Sequence, residues 1–94
     1  MIKSYRDERT RRFAAGERVP SFTSCKQQAE KRLEILDAAT SLDNLRMLRS
    51  NRLESLKGNW SGQYSIRVNN QWRICFEWPN GSDGPERVEV TDYH

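Results

Sequence analysis

Apolar positions along the chain recur at helical spacing in its first half and alternate in its second. Residues 2–5 read as a short edge strand. Residues 7–15 then read as a helix whose inward stripe is Thr10, Phe13 and Ala14, stopped by Gly16. After a loop with Pro20, Ser24 and Gln27 stand three apart in a capping-box pattern, and Ala29, Leu33, Leu36 and Ala39 or Thr40 follow at spacings of three and four. This predicts a helix over residues 24–39, with Ile35 and Ala38 widening its apolar face. A shorter helical turn over 42–48 packs beside it, until Ser50 and Asn51 break the pattern.

From residue 52 the period changes to two, punctuated by Gly58, Gly62, Asn69, Asn70, Pro79, Asn80, Gly81 and Gly84. Four strands fit, at about 53–57, 63–69, 72–78 and 86–93. Helices first and a strand meander last predict an α+β domain, with helices on one face of an antiparallel sheet.

The middle hairpin fixes its own register. Tyr64, Ile66 and Val68 form the apolar set of one strand, and Trp72, Ile74, Phe76 and Trp78 that of the next. Both sets reach one core face only if paired residue numbers sum to an even value, which excludes a two-residue loop. A loop of Asn69, Asn70 and Gln71 satisfies this, pairs Val68 with Trp72 and sets Arg67 opposite Arg73. Like charges facing each other across strands are locally unfavourable. Either the two arginines hold an anion, or they splay into water or pair with Glu77 and Glu54. If they are a phosphate clamp, losing Arg73 should leave the melting temperature unchanged or higher.

Length and composition narrow the partners. The chain has 94 residues, 35% hydrophobic and 31% charged, with a net charge of +3 and a mean hydropathy of −0.95. That suits one small domain, residues 1–94, with a thin core. Residues 45–75 carry Arg46, Arg49, Arg52, Lys57, Arg67 and Arg73 against the single acid Glu54, whereas residues 76–94 carry five acids against Arg87. The basic block is either a solvated face, the simpler reading of composition alone, or the place where an anionic partner is held. Cys25 and Cys75, far apart and with one histidine, form neither a disulfide framework nor a zinc set and read as ordinary buried thiols. With no signal-peptide or membrane-span pattern, the expected place is the cytoplasm.

The run GQYSIRVNNQWRICFEW, preceded by NRLESLKG and followed by VEVTDYH, resembles the HigB toxins of the RelE/ParE superfamily, as do the opening MIKSY and the AEKRLEILDAATSLDNLR helix. The resemblance implies two helices packed on a twisted antiparallel sheet, the RelE-like fold. It also implies cleavage of mRNA in the ribosomal A site without a cofactor. The partners it implies are the ribosome and a HigA-like helix-turn-helix antitoxin, through which alone the toxin meets operator DNA. Relatives often have Pro-Pro-Gly where Leu48, Arg49 and Ser50 stand here, and some carry histidine in place of Glu54.

Cleaving RNA with side chains requires a base for the ribose 2′-OH, cations for the phosphorane and an acid for the 5′-oxygen. Arg67, Arg73 and Lys57 are the candidate cations. Glu54, Asp92, Tyr93 and His94 are the candidates, by family analogy, to move or orient protons. His94 is the only histidine, a residue type suited to proton transfer near neutral pH. By strand parity Tyr93 shares the arginine face, while Asp92 and His94 point inward unless the last strand twists free. Trp60 either packs in its loop or stacks on RNA. Two other functions fit the same pattern: a ParE-like toxin acting on DNA gyrase, and an RNA-binding module without chemistry.

Overall fold

The computed structural model describes residues 1–56 and 62–92. Lys57, Trp60, Tyr93 and His94 lie outside the described residues. The chain forms helices α1 (Glu8–Ala14), α2 (Lys26–Ala38) and α3 (Leu42–Met47), then strands β1 (Glu54–Ser55), β2 (Gln63–Arg67), β3 (Trp72–Glu77) and β4 (Glu86–Asp92). The strands make one sheet in sequence order, each pair antiparallel. No described helix is long and apolar enough to cross a membrane.

Helix α1 starts where Asp7 Oδ1 accepts the Thr10 N–H at 2.9 Å, an N-cap of the usual chemistry. Thr10 and Phe13 are buried, but Ala14 is exposed, so the expected inward stripe loses its third member. The Phe13 ring, edge to face on Phe22 at 5.2 Å, draws the helix inward on that side and leaves Ala14 at the rim.

The predicted capping box does not form. Residues Pro20–Cys25 make a 3-10 turn, and α2 begins at Lys26 with no side-chain cap. The turn buries Phe22 and Cys25 completely, and Phe22 also meets Trp72 edge to face at 5.6 Å. Burying a phenylalanine contributes about 1.5–3 kcal/mol, against roughly 1 kcal/mol for a serine cap, so Ser24 is left in the turn. Ala29, Leu33 and Leu36 then face the sheet as predicted, while Ala38 is exposed and Ala39 takes the buried place.

The N-terminal segment is less of a strand than its apolar residues suggest. It runs parallel to β4 with one bridge, Tyr5 to Val88, and backbone bonds from Lys3 N to Pro85 O, Val88 N to Ser4 O and Arg6 N to Val88 O at 2.9–3.1 Å. The chain then turns into α1, and Thr10 Oγ1 accepts the next inward N–H of β4, that of Val90, at 3.0 Å. Thr10 and Val90 are both fully buried. Thr10→Val keeps the shape and removes the acceptor, so it should cost about 1–3 kcal/mol in urea unfolding. A variant as stable as the parent would mean that Val90 finds another partner.

The hairpin of β2 and β3 has the predicted register, with Ile66 opposite Ile74 and Arg67 opposite Arg73. Asn69 Oδ1 accepts the N–H groups of both Gln71 and Trp72 at 2.8 Å, which closes the three-residue loop. Ile66, Ile74, Phe76, Val88 and Val90 form the buried layer under the helices. Between β3 and β4 the register slips: Cys75 faces Glu89, yet Glu77 faces Glu86. β4 therefore holds one extra residue, and Arg87 there takes the left-handed backbone, with φ 52°.

Candidate functional site

The sheet face turned away from the helices is built from the polar half of the alternation. Across it, Arg67, Arg73 and Thr91 form one row, and Glu54, Ser65, Cys75 and Glu89 the next. The two arginines do not simply splay into water. Arg73, only 11% exposed, lies against β2 and β1: Nε donates to Ser65 Oγ at 2.9 Å, Nη2 donates to the Arg52 carbonyl at 3.2 Å, and Glu54 Oε2 is 3.7 Å away. Arg67 turns back toward the hairpin loop, where Nη2 donates to Asn70 Oδ1. The Glu54 side chain is 54% exposed, so its pairing with Arg73 contributes little to stability. Its importance is that a carboxylate and a guanidinium meet at one point of the face.

Two contributors were missed by sequence reasoning. Ser65 is fully buried, and its hydroxyl fixes the Arg73 fork. The only signal was its place on the polar side of β2, two residues before Arg67. Arg52 contributes its carbonyl, turned toward Arg73 by a left-handed backbone with φ 46°; nothing in the residue type announces that conformation. Cys75 fills the row beneath. Burial pushes its thiol pKa up and Glu89 adds to this, against Arg73 and Arg6, so it remains a neutral spacer.

Asp92 is not brought onto this face. It stands opposite Trp72 in the register, is exposed, and accepts from Gln71 Nε2 at 3.0 Å. Its neighbour Thr91 is the residue paired with Arg73. Of the predicted site, Glu54, Arg67 and Arg73 therefore share one face, Asp92 lies at its edge with opposite parity, and Lys57, Tyr93 and His94 fall outside the described residues. Glu77, the other carboxylate weighed for the arginine pair, is engaged at the far end of the face by Arg6 at 3.4 Å and Arg87 at 3.1 Å.

Comparison with known proteins agrees with this architecture. Residues 3–94 match the HigB-like toxin family, described as the RelE-like toxin of the type II toxin–antitoxin system HigB. Toxin HigB-1 of Vibrio cholerae is 42% identical over 77 residues, covering 82% of this chain and 74% of that protein. Endoribonuclease HigB of Proteus vulgaris is 38% identical over 63 residues, covering 67% of this chain and 65% of that protein. Among solved structures, the YoeB–YefM complex from Staphylococcus aureus superposes with a TM-score of 0.58 at 17% identity, over 100% of this chain and 95% of the matched one. A YafQ mutant from E. coli gives 0.56 at 14%, over 97% and 92%. These two likenesses confirm the fold expected from the sequence, helices on one face of an antiparallel sheet. The family match covers nearly the whole chain, and on that ground the chain belongs to the HigB-like family of RelE-like toxins of type II toxin–antitoxin systems.

Proposed function

We propose that this toxin cleaves mRNA in the ribosomal A site and so arrests translation, with the outer sheet face as its active surface. The observation that carries the reading is the facing pair Arg67 and Arg73, with Glu54 beside Arg73. Arg67 and Arg73 stand opposite each other in the register, and their guanidiniums suit a phosphate whose charge grows in the pentacovalent state once Arg67 swings from Asn70 to meet it. Glu54 is the candidate to accept the 2′-OH proton, and Lys57 is a third cation three residues on. Tyr93 and His94, which follow β4 in the sequence, are the candidates to protonate the leaving 5′-oxygen, and Asp92 at the edge of the face is left with orienting the message. The endoribonuclease activity carried in the name of the Proteus vulgaris relative favours this over a ParE-like action on DNA gyrase.

The partner is an antitoxin, as the family requires. It is a HigA-like helix-turn-helix protein, through which alone the toxin reaches operator DNA, and the pair works in the cytoplasm. Inducing the toxin and following pulse labelling tests the activity. Loss of protein synthesis with fragmented messages is expected, whereas early loss of DNA synthesis would point to gyrase. Because so small a face offers few groups for proton transfer, cleavage should depend on the ribosome to position the message. Purified toxin should leave naked mRNA intact at near-stoichiometric concentration, and efficient cleavage there would overturn the dependence.

Ser65 gives a finer test of the face. Ser65→Ala removes the acceptor that fixes Arg73 Nε, so single-turnover cleavage should fall about tenfold through misplacement of the guanidinium. Adding Ser65→Ala to Arg73→Ala should then change nothing further. Independent losses from the two substitutions would separate Ser65 from Arg73.

A further inference from the structure

The far end of the same sheet face carries an arrangement that the proposed chemistry does not use. Arg87 is one of two non-glycine residues with positive φ among the described residues, the other being Arg52. Arginine is ill suited to this backbone, where glycine fits without strain. The bulge it creates carries its side chain onto the outer face, where Nε meets Glu77 Oε2 at 3.1 Å. Arg6 reaches the same Glu77 oxygen at 3.4 Å and donates to Gln63 Oε1 at 3.1 Å. One carboxylate thus stands between two guanidiniums, and Glu86, opposite Glu77 in the register, balances the charge of the cluster. Arg87 remains 57% exposed. Glu77 lies four residues along β3 from Arg73, about 13 Å at the rise of a strand, on the same face.

The geometry points to a second RNA-phosphate site at Arg87, supported by Arg6 and poised by Glu77, which holds the nucleic acid backbone at a distance from the cleavage point. A bulge re-aims a side chain, and here it aims a cation along the line of the arginine pair. A purely structural role fits less well, since glycine would make the same bulge without strain. The inference rests on the reading of this face as the RNA-facing one. The phosphate belongs either to the message or to ribosomal RNA, which share this chemistry.

The test is binding of the full-length toxin to ribosomes across a salt series. One arm carries a message whose A-site codon has 2′-deoxyribose, so that it is not cleaved; the other arm has no message. Arg87→Gly should melt at the parent temperature or higher while the slope of log affinity against log salt becomes shallower by about 0.7 to 0.9, one phosphate contact. A change confined to the first arm assigns the phosphate to the message, and a change in both arms assigns it to ribosomal RNA. Arg87→Lys should retain the slope. Glu77→Gln, which removes the charge that both arginines contact, should tighten binding severalfold. Arg87→Gly with an unchanged slope in both arms, or with a lowered melting temperature and unchanged binding, overturns the site while leaving the proposed function standing. Intact toxin that neither binds ribosomes nor cleaves message overturns that function, and this site with it.

Discussion

Replacing Arg73 by alanine is expected to abolish growth arrest and to lower single-turnover cleavage on the ribosome by about 10²–10³-fold, the usual loss when one fixed donor to a developing oxyanion is removed. The effect on the fold differs from what the facing charges alone suggest. Relieving repulsion between Arg67 and Arg73 yields at most about 1 kcal/mol. Arg73, however, is 11% exposed and tied to Ser65, to the Arg52 carbonyl and to Glu54. Alanine leaves the fully buried Ser65 hydroxyl and that carbonyl without their donor, a cost of about 1–3 kcal/mol. The melting temperature should therefore drop by several degrees in a domain of this size, instead of holding or rising. Arg73→Lys separates the two roles: it keeps the charge, yet a point ammonium does not span Ser65 and the Arg52 carbonyl as a planar fork does. It should fold nearly as well as alanine and recover only a small part of the cleavage. Thermal melts with quenched cleavage assays measure both. Full toxicity from Arg73→Ala would remove the arginine pair from the mechanism.

The residues that made this pair visible in the sequence also show where such reading stops. Parity and loop length alone put Arg67 opposite Arg73, because a strand's side chains have a period of two and one slipped residue exposes the core. What surrounds Arg73 was not legible. Ser65, Glu54 and the Arg52 carbonyl meet it only through the order of β1, β2 and β3 and a left-handed turn that no residue type signals. In β4 the inward Val88 and Val90 imply that Glu86 also points inward. The bulge at Arg87 returns Glu86 to the outer row opposite Glu77, and a period of two has no means of anticipating the extra residue. Ser24 shows the same limit in the helices, where a sound local cap gave way to the burial of Phe22 against Phe13 and Trp72. Sequence distance is no guide to such long-range packing.

His94→Gln is expected to lower cleavage by about 10²–10⁴-fold, the range for removing a positioned general acid or base. Glutamine retains hydrogen bonding but does not carry a proton between donor and acceptor near neutral pH, so the substitution isolates proton transfer from mere contact. Of the groups grouped here as proton carriers, imidazole is the one whose ordinary pKa, near 6.5, lies closest to the working pH. Glu54 is well placed beside Arg73 to accept a proton, and a base on one side of the phosphate leaves the 5′-oxygen needing an acid on the other. If the imidazolium is that acid, the parent toxin should lose activity as pH rises through the pKa of His94, and the glutamine variant should lack that limb altogether. Measuring single-turnover rates on programmed ribosomes between pH 5.5 and 8.5 (a window of roughly one to two units either side of that value) reads both effects. The stability of the variant should match the parent's, so a melt distinguishes lost chemistry from lost fold. Should His94→Gln arrest growth as fully as the parent and keep the same pH profile, the proton for the leaving oxygen must come from Tyr93, with Glu54 as the base.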